Sequence, residues 1–167
     1  MKKGQFILSI LVSNHFGVLT RVSGLFSRRG FNIDALSVGE TEDPNFSRMT
    51  IVSTGDEYIK DQIVKQLEKL HDVKYVEIMD ARNTVVRELM IVKIRAQQGQ
   101  RGELIEAVNV FRGKVVDFSP ESISVEITSE QSKLDAFVEY VKPYGIMELC
   151  RTGATALGRG SSCLIKK

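Results

Sequence analysis

Asn14, His15, Gly17 and Asn32 are the residues whose types and spacing bear most directly on chemistry in this chain. They fall in the stretch "NHFGVLTRVSGLFSRRGFNIDALSVG", residues 14–39. Leu19, Val22, Leu25 and Phe26 recur at helical spacing, which predicts a helix over residues 17–29 with Gly30 as its stop. The loop at residues 14–17 then lies at the helix N-terminus. The first backbone N–H groups there lack intrahelical acceptors, and the helix dipole favours an anion such as a carboxylate. Gly17 has no side chain to block the approach, and the Asn14 amide offers both a donor and an acceptor. Asn and Gly are equally ordinary turn and capping residues. The residues by themselves leave both readings open.

Other chemistry finds less support. His15 and His71 lie in separate elements and read as solvated, with His71 at a helix end where the dipole suits it. The glycines of "GATALGRG", residues 153–160, resemble a phosphate loop, but the Lys and hydroxyl that end such a loop are missing. The Ser and Thr residues have no base nearby, and no carboxylate pair stands out. Cys150 and Cys163 form neither a redox motif nor a metal spacing, which leaves a reduced cytoplasmic protein as the default and a single bridge between them open. The segment Phe6–Val12 is too short to span a membrane or to form the core of a signal peptide. With 23 basic against 21 acidic residues, the chain has no electrostatic footprint for nucleic acid.

Apolar residues make up 43% of the 167, enough for a core. Strand-like runs at 6–12, 32–38, 47–53 and 73–79 enclose the first helix and a second one. Thr54 and Glu57 suggest a capping box opening that second helix, with Ile59, Ile63, Leu67 and Leu70 facing inward. The order is β-α-β-β-α-β. It recurs with strands at 88–96, 114–118, 122–128 and 146–151, a helix at 101–111, and a helix capped by Ser129 that carries Leu134, Phe137, Val138 and Val141. The expected fold is therefore α+β, two ferredoxin-like βαββαβ domains in tandem. Their bounds read as 1–79 and 85–152, joined by the polar residues 80–84. Residues 153–167 form a tail, either mobile or a partner-binding arm. Each domain is small, with an edge strand and a sheet face without helices, which favours a dimer or a docked partner.

The long motif above, with "EDPNFSRMTIV", "QLEKLHDVKYV", "RELMIVKI", "VFRGKVVD" and "SKLDAFVEYVKPYGIMELCRTGATALGRG", resembles the small regulatory subunit of acetohydroxyacid synthase, or acetolactate synthase. The likeness runs through nearly the whole chain, and the N-terminal half resembles an ACT domain, an amino-acid-sensing ferredoxin-like fold. The resemblance implies no catalytic site in this chain. It implies a large catalytic subunit that uses thiamine diphosphate, Mg²⁺ and FAD, activation of that subunit, and feedback inhibition by valine or another branched-chain amino acid. It further implies a homodimer formed by side-by-side ACT domains, with the effector between them at Asn14, Gly17 and Asn32. A stand-alone amino-acid-responsive regulator and an RNA-binding ferredoxin-like tandem are the alternatives. The third strand run, Phe46–Val52, lacks the stacking rings that RNA would need.

Overall fold

The computed structural model describes residues 4–161, 163 and 164. These residues form two units, one comprising the described residues up to Val86 and from Gly153 on, the other residues 87–152.

In the first unit the elements are β1 (Gln5–Ser13), α1 (Val18–Arg29), β2 (Ala35–Glu40), β3 (Phe46–Thr54), α2 (Glu57–Leu67) and β4 (Val73–Ile78). The strands form an antiparallel sheet in the order β2-β3-β1-β4. Each helix carries the chain across one strand, so α1 and α2 cover the same face. Phe6, Leu8, Ile10 and Val12 point to that face and pack with Val22, Leu25, Phe26, Met49, Ile51, Ile63 and Leu67. Leu19, expected inside, is 43% exposed, and Val18 takes its place in the core. The second helix starts differently from the capping-box expectation. Thr54 still belongs to β3, and its hydroxyl donates to Asp34 Oδ2 at 2.6 Å. Asp56 caps α2 instead, accepting from the Ile59 N–H at 2.9 Å.

The second unit repeats the plan. Its elements are β5 (Thr84–Arg95), which begins in the first unit, then α3 (Arg101–Val110), β6 (Lys114–Phe118), β7 (Ser122–Ser129), α4 (Gln131–Val141) and β8 (Ile146–Arg151). The strand order is β6-β7-β5-β8. Met90, Val92, Ile94, Ile123, Val125 and Ile127 line the helix-covered face with Leu104, Val108, Leu134 and Phe137. Ser129 ends β7 rather than capping α4, whose first turn begins after Glu130. The residues expected to join the domains form a turn held by Asp80. Its carboxylate accepts from the Arg82 N–H at 3.1 Å, and its carbonyl accepts from the Thr84 hydroxyl at 2.6 Å.

Where it is described, the segment expected as a tail, mobile or partner-binding, packs against the first unit. Residues 155–158 form a ninth strand, β9 (Thr155–Gly158), which pairs with β5. The segment lies over the first sheet's helix-free face, where Ala156, completely buried, packs with Ile7, Val52 and Met79. The Ser37 hydroxyl donates to the Ala154 carbonyl at 3.0 Å. Gly153 approaches β2 so closely that a Cβ would sit 3.3 Å from the Ala35 Cβ, and its φ of +81° suits glycine alone. The face expected to be bare is thus covered by the chain itself. Truncation after Thr152 should lower the unfolding free energy by about 3 kcal/mol, the worth of one or two valine- or isoleucine-sized side chains returned to water. Urea denaturation of the two proteins measures this, and an unchanged midpoint would show that the covering contributes nothing.

Candidate functional site

The loop between β1 and α1 is held from three directions. At its start the Ser13 N–H donates to the Asp72 carbonyl at 2.8 Å, and the Asn14 N–H donates to the Asn45 carbonyl at 2.7 Å. The Asn14 side-chain Nδ2 donates to the Pro44 carbonyl at 2.9 Å and to Glu40 Oε2 at 3.2 Å. Glu40 is the last residue of β2, so Asn14 stands beside the C-terminal end of that edge strand.

Asp72 anchors the other side. Its Oδ2 accepts from Arg21 Nε at 2.5 Å, and its Oδ1 lies 3.0 Å from His15 Nε2. His15 is therefore paired, in place of the solvated histidine expected. The hydrogen bond from Arg21, then the charges of Arg21 and His15, hold the Asp72 carboxyl below the usual aspartate range against the opposing effect of its burial. No local signal in the sequence marks Asp72, because it lies 51 residues from Arg21 and only the fold joins them.

Gly17 follows with φ +86°, a left-handed conformation that lets the loop turn into the helix. A Cβ there would also lie 3.1 Å from an Arg21 guanidinium nitrogen. The helix begins without a side-chain cap and without an acidic residue in its first turn. The Val18 N–H donates to the His15 carbonyl at 3.5 Å, and the following first-turn N–H groups lie beside the exposed loop, where Phe16 is fully exposed. An uncapped helix N-terminus has backbone donors and a dipole suited to an anion. Among the described residues, no group of three or more His, Cys, Asp or Glu side chains converges on one point.

Asn14 and Gly17 are therefore together, and Asn32 is not with them. It follows α1 at its far end, and a helix of 12 residues is about 18 Å long. The Asn32 Nδ2 donates to Asp34 Oδ1 at 2.5 Å, and the Asn32 carbonyl accepts from the Ser53 hydroxyl at 2.6 Å. Both cysteines are exposed thiols. No helix among the described residues is long and apolar enough to cross a membrane.

Known proteins resemble the chain over both units. Residues 8–74 match a family described as the ACT domain of the acetohydroxyacid synthase small subunit, and residues 87–160 match one described as the small subunit of acetolactate synthase. A probable acetolactate synthase small subunit of Methanothermobacter thermautotrophicus is 49% identical over 162 residues, covering 96% of each chain. The acetolactate synthase small subunit of Mycolicibacterium smegmatis is 49% identical over 153 residues, 92% of this chain and 90% of that one. The crystal structure of the acetolactate synthase small subunit from Thermotoga maritima superposes with a TM-score of 0.88 at 39% identity, covering 95% of this chain and 99% of that one.

The Asp72 cluster makes a pH-dependent prediction. A carboxyl whose folded pKa is depressed stabilises fully above its ordinary value of 3.8 and loses that contribution as pH falls through the lowered value. The melting temperatures of the protein and of Asp72→Asn should therefore differ most at neutral pH and converge below pH 3.8. Thermal melts across that range check it. Equal melting temperatures at neutral pH would mean that the cluster adds no stability.

Proposed function

This chain belongs to the small-subunit family of acetolactate synthase, and on that premise we propose a regulatory subunit that docks on the large catalytic chain, raises its activity and confers feedback inhibition by valine or another branched-chain amino acid. The thiamine diphosphate, Mg²⁺ and FAD of the reaction would reside in that partner. This chain would supply binding and coupling. Its place is then in the synthesis of branched-chain amino acids.

One observation carries the effector site. Asn14 stands at the end of β2, bonded to Glu40, while Asn32 precedes the start of β2 by three residues. β2 is a sheet edge, and its unpaired backbone groups can add a strand. If two copies pair antiparallel through β2, the end of one strand lies opposite the start of the other. That pairing brings Asn32 of the second copy toward Asn14 of the first, which one chain cannot do. Val38 on this edge strand and Leu19 on α1 are both substantially exposed, and each suits an apolar side chain.

The bonds already made divide the ligand's groups. The Asn14 Nδ2 is committed to Pro44 and Glu40, so its Oδ1 is the atom left to accept from the effector ammonium. The carboxylate would take the open N–H groups of α1 next to Gly17. Ligand bound between two copies would favour one arrangement of the pair, and the docked catalytic chain would feel it. Coupling of this kind is typically worth about 1–3 kcal/mol.

Asn14→Ala or Asn32→Ala should cost about 1.5–3 kcal/mol of effector binding, the worth of a charge-assisted hydrogen bond. That is a loss of roughly tenfold to a hundredfold in affinity. Gly17→Asp should bind more weakly still, because it places a carboxylate where the ligand's must sit and strains the left-handed turn. Activation of the catalytic chain should persist in the two asparagine variants. Calorimetry with valine, paired with reconstituted acetolactate synthase assays, decides the matter. Unchanged valine affinity in both asparagine variants would return these residues to ordinary turn chemistry.

A further inference from the structure

β1 and β4 do not end together. Leu8 pairs with Ile78, the last residue of β4, and the Met79 N–H donates to the Ile7 carbonyl at 2.9 Å. The chain then leaves the sheet through the turn that Asp80 holds. The first residues of β1, from Gln5, run on past this point. Beside them the first unit has a cavity of about 400 Å³, within the range of roughly 300–1,000 Å³ usual for small-molecule sites. Phe6, Ile7, Met79 and Val86 give it apolar walls, and Lys60 of α2 and Asp80 bring charge to it.

The two charges are not equivalent. Asp80 is engaged by its own turn: Oδ1 accepts from the Arg82 N–H at 3.1 Å, and Oδ2 accepts from Asn83 Nδ2 at 3.3 Å. Arg82 Nε also lies 3.9 Å from this carboxylate. The Lys60 side chain is only 20% exposed, and its Nζ lies 5.5 Å from the centre of the Phe6 ring. Its ion partner is Glu57 at 2.5 Å, whose side chain is 89% exposed. A pair with so exposed a partner is worth little, and an ammonium has two further N–H donors. Lys60 also stands at the N-terminal end of α2, where its backbone N–H donates to the Asp56 carbonyl at 3.1 Å. The helix dipole there adds positive potential to that of the ammonium. Snorkelling over Phe6 explains the buried stem of this lysine, but not the cavity beside its charged end.

We propose that this cavity binds a small aliphatic carboxylate, with the carboxylate on the Lys60 ammonium and the hydrocarbon part against Ile7, Met79 and Val86. The anion gains a charge-assisted hydrogen bond in a partly buried place, and the hydrocarbon leaves water. An amino acid suits the cavity less well. Asp80 is the one carboxylate among the described lining residues, and Arg82 and Asn83 already occupy it. A ligand's ammonium would therefore lose water without an equal acceptor. The cavity lies at the opposite end of β1 from Asn14 and Gly17, and it does not rest on the effector reading.

Methionine methyl groups report on the site in the full chain, because Met79 lines the cavity while Met90 and Met147 belong to the second unit. Protein labelled with carbon-13 at these methyls is titrated with hexanoate at neutral pH, and Met79→Leu identifies the Met79 signal. That signal should shift saturably at millimolar hexanoate, while the Met90 signal stays in place. Lys60→Gln should weaken hexanoate binding by about tenfold or more. Hexanamide, the neutral analogue, should bind the unaltered protein about tenfold more weakly than hexanoate, a comparison that needs no variant to fold. Asn14→Ala should leave the hexanoate titration as it was, whatever it does to valine. Circular dichroism checks the fold of each variant. A Met79 signal that does not move, equal affinities for acid and amide, or hexanoate binding undiminished in folded Lys60→Gln would overturn the proposal. Hexanoate binding lost in Asn14→Ala would place the anion at the β1–α1 loop and overturn it too.

Discussion

A four-stranded sheet with both helices on one face has a second face that must be dealt with, and the two units do so in opposite ways. In the first, β1 is apolar on both sides: Leu8 and Ile10 face the helices, while Ile7 and Leu11 are buried on the reverse. Burying that reverse face requires more chain, and the segment from Gly153 on supplies it. In the second unit, Ile123, Val125 and Ile127 face the helices while Ser124 and Glu126 alternate with them on the other face. That face is polar and has no helix over it, although Ser124 on it is buried. The C-terminal segment is therefore part of the core of the first unit.

The covering segment and the β1–α1 loop meet the same strand from different sides. Ala154 takes its hydrogen bond from Ser37 in the middle of β2, and Asn14 is bonded to Glu40 at its end. The position of β2 is thus shared by the sheet, the C-terminal segment and the loop. The loop itself is held by Asp72, whose two carboxylate oxygens serve Arg21 and His15. With the loop fixed, the first turn of α1 can remain uncapped without fraying freely. A helix end left open in this way is suited to a ligand's carboxylate.

Membership in the acetolactate synthase small-subunit family accounts for a tandem of two similar units with different surfaces. The first unit presents a loop and an edge suited to a small ligand and a second copy. The second presents a polar sheet face and an exposed edge strand, β6. Both edges follow from the βαββαβ order, which always leaves its second and fourth strands outermost. What differs is the residues that each edge carries.

Much of this was legible in the residues themselves. Apolar residues on both strand faces over 6–12, interrupted by Ser9 alone, signal a strand buried on both faces, and the alternation over 123–128 signals one apolar on a single face. The doubled order of elements announced the tandem, and Asn14 and Gly17 marked the loop at the helix start. These are local patterns, set by backbone period and side-chain type. The rest depended on residues distant in sequence. Asp72 became an anchor only where the end of α2 returns beside the β1–α1 loop, and Asp34 took the Thr54 hydroxyl away from the helix that Thr54 was expected to cap. The small, glycine-rich stretch from 153 to 160 has the composition of a mobile tail. It packs there because Gly153 and Ala156 are small enough to lie flat on a sheet whose far face no helix covers. Close approach of that kind is decided by the shape of the surface beneath, and only the tertiary structure contains that shape.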